Sequence, residues 1–152
     1  METESKLPMQ ASRLIPHRKP MRLVDRLIEF KDQSGAVEAV VTPENGLTDS
    51  EGRLDQLAVA EMMAQAYATV KGYADRLSGK PATQGYLVGI RQIQFFASAY
   101  AGDRLRINVD TVGTISGFAV VEGQVRRSQE VIARGRIKLW IPEHFSAEPD
   151  KP

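Results

Sequence analysis

The sequence predicts an α+β domain in which an antiparallel sheet wraps around one long central helix. Two observations carry this prediction: an unbroken apolar stretch of helical pattern in the middle of the chain, and period-2 strand patterns before and after it. A chain of 152 residues suits one domain with its own core. A helix that is apolar nearly all round is stable only where neighbours enclose it, so the sheet is expected to curl around it.

The helix is predicted from Asp55, a suitable N-cap, to about Leu77, with no proline between them. Its segment Leu57 to Val70 reads LAVAEMMAQAYATV, and ten of these fourteen residues are aliphatic, sulfur-containing or alanine. Glu61 places a carboxylate within this apolar segment. Because an unpaired buried charge is strongly destabilising, Glu61 requires either a partner or a function.

Strand patterns account for most of the remaining chain. Residues 21–30 and 36–42 are predicted to pair across a connection at 31–35. After the helix, about four strands are expected. The first clear alternation places Leu105, Ile107 and Val109 on one side of a strand. The last strand is predicted to bury a face formed by Val131, Ala133, Ile137, Leu139 and Ile141. Hairpin turns are expected at 114–117 and 127–130.

The composition excludes several classes of function. Lys and Arg number 20 against 19 Asp and Glu, and a net charge of +1 gives no general attraction for nucleic acid or an anionic membrane. The chain has no cysteine, which excludes disulfides, thiol nucleophiles and thiolate metal sites. His17 and His144 lie too far apart in sequence to suggest metal ligands, so no metal and no cofactor are predicted.

The limits of the domain follow from the two polar ends of the chain. We expect a single domain over residues 12–142, with flexible termini at 1–11 and 143–152, because both ends are polar and the second is rich in proline. No apolar run approaches the length needed to cross a bilayer, and the first residues lack a signal-peptide core. A cytoplasmic location is therefore expected.

Three motifs in order resemble the 3-hydroxyacyl-ACP dehydratases of fatty acid synthesis, which have the hot-dog fold. The stretch LIPHRKPMRLVDRL is similar to that family's N-terminal signature, AEMMAQA to its helix signature, and GYLVGIRQIQFFASAYAGDRL to its glycine, phenylalanine and Gly-Asp positions. The resemblance runs from about Leu14 to Ile141. The family's Gly-His-Phe-Pro loop is replaced here by ENGLTDSEGRLDQ, which contains no histidine. A similar loop occurs in a dehydratase-like branch associated with aryl-polyene and related lipid synthesis.

The resemblance implies a site for an acyl thioester. It assigns catalysis to Glu61, the acid that protonates the leaving hydroxyl, and to Gln65, one helical turn further on. It assigns substrate binding to Gly89, Ile90 and Phe95. On residue type alone, Glu61 and Gln65 could instead be satisfied core groups, and Gly89 a glycine needed for close packing.

The resemblance also implies partners. The substrate would be carried by an acyl carrier protein, and two chains would form a homodimer or a heterodimer with a paralogue, because edge strands left open by the sheet are covered by pairing.

The missing histidine leaves three functions open. The chain could be an active dehydratase with an unconventional base, for which Asp49 and Glu51 are candidates and His17, in the N-terminal turn, a weak one. It could be a catalytically degenerate subunit that binds acyl-ACP or completes a heterodimer. It could also be a hot-dog thioesterase in which the helix carboxylate activates water, because one fold hosts all three.

Overall fold

The computed structural model describes residues 6–81 and 86–142, which form one antiparallel sheet and one long helix. The elements are β1 (Met9–Gln10), β2 (Arg26–Lys31), β3 (Ser34–Val40), α1 (Gln56–Leu77), β4 (Tyr86–Phe95), β5 (Arg104–Ile115), β6 (Phe118–Arg127) and β7 (Glu130–Trp140). The strands lie in the order β1-β2-β3-β5-β6-β7-β4, so that β4 forms one edge of the sheet. This confirms the predicted α+β hot-dog architecture.

Helix α1 lies against the inner face of the sheet, as its apolar composition predicts. Asp55 caps it by accepting the backbone N–H of Leu57 at 2.8 Å. Two glycines allow close packing on either side of the helix. A Cβ at Gly123 would lie 2.8 Å from Sδ of Met63, and a Cβ at Gly72 would lie 2.3 Å from the backbone oxygen of Leu14. The helix is thus enclosed by the sheet on one side and by the N-terminal segment on another.

The alternation in the strands agrees with prediction in β5, and in β7 at all but one position. Leu105, Ile107 and Val109 are buried on the inner face, as expected. In β7, however, Val131 is only half-buried and Ile132 is buried instead. The cause is a register shift between Val125 and Arg126 of β6, which moves the inward side by one residue.

The N-terminal part of the chain departs from prediction in two ways. Met9 and Ala11 are buried, and β1 pairs with β2, so a domain boundary at residue 12 is too late. The strand expected from residue 21 begins only at Arg26. Before it, Asp25 accepts the backbone N–H of Val40 at 2.8 Å and so joins the segment to the end of β3. Residues 143–152, expected to be a flexible terminus, lie outside the described part of the chain.

The hairpin turns fall within the predicted ranges. Between β5 and β6, Ser116 and Gly117 both have positive φ, as a tight two-residue hairpin requires. Among the described helices, none combines the length and apolar character needed to cross a membrane.

Candidate functional site

Glu61 lies on the stripe of α1 that is open to solvent. Within this stripe Leu57 is 70% exposed, while Glu61, Ala68 and Lys71 are half-buried. These positions recur at three-, four- and seven-residue intervals and so share one side of the helix. The carboxylate is therefore less buried than the sequence pattern predicts. It is open to a substrate or to a second chain, and it adjoins exposed apolar surface.

Gln65 holds Glu61 and the N-terminal segment together. Its Nε2 donates to Oε2 of Glu61 at 2.9 Å and to the backbone oxygen of Met21 at 2.9 Å. Its Oε1 accepts the backbone N–H of Leu23 at 2.7 Å. The side chain is 2% exposed, and both of its donors are occupied. Gln65 therefore contacts Glu61, as its spacing predicts, but has no donor left for a substrate.

The predicted substrate-binding residues all lie on edge strand β4. Ile90 is 44% exposed there, and Phe95 is half-buried against the core. A Cβ at Gly89 would meet only Cβ of Lys138, at an ordinary contact distance of 3.8 Å, so close packing does not explain this glycine. Within the described residues, no hydrogen bond joins Glu61 to β4. The structure thus places the two halves of the predicted site on neighbouring elements without direct polar contact.

In the loop that replaces the family's histidine loop, backbone hydrogen bonds hold Asp49 in a turn. Asp49 accepts the backbone N–H groups of Glu51 and Arg53, each at 2.9 Å. These hydrogen bonds, the one from Arg53 first, hold the pKa of Asp49 below its ordinary value of 3.8. A carboxylate with a lowered pKa binds a proton weakly, so Asp49 is poorly suited to abstract one from carbon. In this structure its function is to stabilise a turn.

His17 lies in a turn that its neighbour stabilises. Nη1 of Arg18 donates to the backbone oxygens of Ile15 at 2.9 Å, Pro16 at 3.1 Å and His17 at 2.8 Å. Nδ1 of His17 is buried, and no hydrogen-bond partner for it occurs among residues 6–81 and 86–142. No hydrogen bond connects it with Glu61. Among the described residues, the side chain of Glu61 is hydrogen-bonded to Gln65 alone.

The Gly-Asp position of the third motif has a structural role. Asp103 accepts Nη1 of Arg127 at 2.7 Å and the backbone N–H of Tyr100 at 2.8 Å. The same Arg127 nitrogen reaches the backbone oxygen of Ser98 at 2.9 Å. The hydrogen bonds that Arg127 donates to the carboxylates, that of Asp103 first and then that of Glu130, raise the pKa of its guanidinium. These contacts fix the turn between β4 and β5.

A cavity of about 1200 Å³ lies on the other side of the sheet from α1. Its lining includes the outward-facing side chains of Asp110, Glu122, Arg134 and Arg136. Because Glu61 projects from the helix on the inner side, this cavity is separate from the candidate site. The described residues also contain no cluster of three or more potential metal ligands.

Comparison with known proteins decides the family. A family model described as ApeP-like, ApeP dehydratase, matches residues 9–149. The chain belongs to the ApeP-like dehydratase family. This confirms both the dehydratase resemblance and the aryl-polyene-type branch, and it supports a 3-hydroxyacyl-ACP dehydratase-like function.

Curated relatives of this ApeP-like chain are described as 3-hydroxyacyl-[acyl-carrier-protein] dehydratase FabZ. The protein of that description from Anaeromyxobacter sp. (strain K) is 32% identical over 136 residues, covering 80% of this chain and 85% of the relative. One from Clostridium botulinum (strain Okra / Type B1) is 28% identical and covers 81% of this chain and 91% of its own length.

Solved structures share the fold of this ApeP-like chain. The dehydratase heterocomplex ApeI:P from Xenorhabdus doucetiae contains a chain with a TM-score of 0.81 and 23% identity, covering 88% of this chain and 91% of that one. A hypothetical thioesterase from Streptococcus pneumoniae, solved with coenzyme A, reaches a TM-score of 0.59 at 12% identity, covering 76% and 86%.

Proposed function

We propose that this ApeP-like chain is a dehydratase subunit for 3-hydroxyacyl thioesters and that Glu61 is its acid. The proposal is supported by the partial burial of Glu61 and by its hydrogen bond with Gln65. It is half-buried on the open stripe of α1, beside the exposed Leu57, and the buried Gln65 holds it through one oxygen. A carboxyl group held by a buried neighbour and adjoining apolar surface is suited to act on a group at one end of an acyl chain.

The reaction requires two groups that act on adjacent carbons of the substrate. A base removes a proton from C2, and the C–H electrons form the C2–C3 double bond. The C3–O bond breaks as Glu61 gives its proton to the departing hydroxyl, which leaves as water. Glu61 is then a carboxylate and the base is protonated, and exchange with solvent restores both groups. Donors to the thioester oxygen stabilise the charge that develops there.

We propose that the base comes from a second chain docked along β4. Within the described residues no base is hydrogen-bonded to Glu61, and Asp49 is held in its own turn. Strand β4 is a sheet edge with two exposed aliphatic side chains, Val88 and Ile90. Such an edge is suited to pairing with another strand. The heterocomplex named for the ApeI:P structure supports a paralogous partner, and the names of the FabZ relatives support a substrate carried by acyl carrier protein.

A second candidate is a catalytically degenerate subunit that binds acyl-ACP or stabilises a partner. The observation that favours it is the loop at 43–54, which contains no histidine and in which Asp49 caps a turn. A thioesterase function is supported by fold alone. The cytoplasmic location remains a prediction from the sequence.

One assay separates these functions. The chain, combined with a dehydratase-family chain that retains the loop histidine, is given a trans-2-enoyl pantetheine thioester. The proposal expects hydration to the 3-hydroxyacyl thioester without release of thiol, and it expects Glu61→Gln in this chain to lower the rate. Thiol release that depends on Glu61 would show a thioesterase. Hydration unaffected by Glu61→Gln would show a degenerate subunit.

Assembly along β4 gives a separate prediction. Ile90→Lys should shift the assembled species towards monomer, because a charged side chain would be buried at the strand junction. Val112→Lys is the matched control, because Val112 is equally exposed, at 45%, on β5 and away from that edge. Light scattering at micromolar concentration measures the outcome. A monomeric unsubstituted chain, alone and with its partner, would contradict docking along β4. So would an Ile90→Lys chain that assembles as well as the control.

A further inference from the structure

The orientation of the Gln65 amide is determined by the main chain around it. The backbone N–H of Leu23 can only donate, so the atom it meets at 2.7 Å must be the amide oxygen. The backbone oxygen of Met21 can only accept, so the atom 2.9 Å from it must be the amide nitrogen. A flipped amide would oppose two donors at Leu23 and two acceptors at Met21 in a site that is 2% exposed.

This orientation makes Oε2 of Glu61 a hydrogen-bond acceptor. The Gln65 nitrogen presents N–H to Oε2 of Glu61 at 2.9 Å, so Oε2 accepts a hydrogen bond whether or not the carboxyl group is protonated. We infer that Gln65 is a positioning residue that confines the transferable proton of Glu61 to Oε1. Oε1 has no hydrogen-bond partner among the described residues and is free to meet a substrate hydroxyl.

The same contacts make the N-terminal segment part of the site. Met21 and Leu23 lie 44 and 42 residues before Gln65, and their backbone groups fix the amide that orients Glu61. The Thr69 hydroxyl donates to the backbone oxygen of Gln65 at 2.7 Å, a bond within the helix that leaves the Gln65 amide untouched. The motif that contains residues 21–23 would thus support catalysis without touching the substrate. This inference rests on the proposed role of Glu61 as acid.

Two substitutions distinguish the hydrogen bond that Gln65 donates to Glu61 from the hydrogen bonds that attach the N-terminal segment to Gln65. Gln65→Glu retains an oxygen for the Leu23 N–H but loses the donor to Glu61, whereas Gln65→Met loses both. In the complex with the histidine-containing chain, we expect either substitution to lower kcat for hydration by up to about 100-fold, with KM nearly unchanged, because misplacing a reacting group affects the chemical step. Gln65→Met should also lower Tm. Thr69→Val, a neighbouring buried substitution that leaves the Gln65 side chain intact, should retain kcat.

A second measurement does not depend on activity. In ¹⁵N-correlated NMR spectra of the full chain, the side-chain NH₂ signals of Gln65 should move as Glu61 titrates, and Glu61→Gln should abolish that movement. The exposed amide of Gln92 on β4 serves as the control. Gln65 signals that ignore the state of Glu61, or a Gln65→Glu variant with the kcat of the unsubstituted complex, would overturn the inference. An inactive unsubstituted complex whose Gln65 signals follow Glu61 would overturn the proposed function and leave the hydrogen-bond geometry intact.

Discussion

Replacing Glu61 by glutamine should reduce enoyl-thioester hydration by about 10²- to 10⁴-fold, the usual cost of removing a general acid. The amide oxygen of the new side chain can accept the Gln65 N–H in place of Oε2, so the local structure should survive. The amide nitrogen would then occupy the position of Oε1, where it cannot transfer a proton. We expect the variant to be folded and at least as stable as the unsubstituted chain, measured by circular dichroism and thermal unfolding.

Glu51→Gln is the matched control for this experiment. It removes the same charge from an exposed position in the loop that replaces the family's histidine loop. The proposed function expects it to leave hydration unchanged, because the base belongs to the second chain. A Glu61→Gln complex with full activity would show that Glu61 is a structural carboxylate. Loss of activity in Glu51→Gln would instead show that this chain supplies its own base.

Replacing Gly72 by alanine should destabilise the fold by about 2–3 kcal/mol, which for a domain of this size lowers Tm by roughly 5–10 °C. The added Cβ would lie 2.3 Å from the backbone oxygen of Leu14 and 3.4 Å from its Cβ. The neighbour is main chain and cannot rotate away, so the N-terminal segment must move. The better helix propensity of alanine, about 1 kcal/mol, offsets only part of this cost.

Gly113→Ala gives the comparison for that experiment. Gly113 lies in β5, and a Cβ there would meet nothing within 4 Å. Its Tm should stay close to that of the unsubstituted chain. If Gly72→Ala were as stable as Gly113→Ala, Leu14 would not pack against the helix as described. If Gly72→Ala also reduced hydration, the segment that carries Met21 and Leu23 would be shown to affect the site.

The fold was predictable because its main signals are local. An Asp55 cap, a helical segment without proline and alternating residues such as Leu105 and Ile107 each encode an element without reference to distant parts of the chain. The errors occurred where pairing overrides the local pattern. The register shift that buries Ile132 in place of Val131 arises between two strands, and the burial of Met9 depends on β2.

The site was predictable only in part, for the same reason. A spacing of four residues on a helix places Gln65 beside Glu61, and the structure confirms that contact. The attachment of Gln65 to Met21 and Leu23 joins residues more than forty positions apart, and no pattern in the sequence indicates it. The extent to which Glu61 is exposed depends on where the sheet ends, which is a property of the assembled fold.

We propose that Glu61 forms half of a site that a second chain completes. The most direct test is complementation with a dehydratase-family chain that carries both a loop histidine and its own helix carboxylate. When that carboxylate is replaced by glutamine, the complex should remain active, because Glu61 supplies the acid to the partner's histidine. Adding Glu61→Gln, or replacing the histidine by alanine, should abolish hydration. A complex that needs its partner's own carboxylate, and whose rate does not change with Glu61→Gln, would show that Glu61 is not the acid.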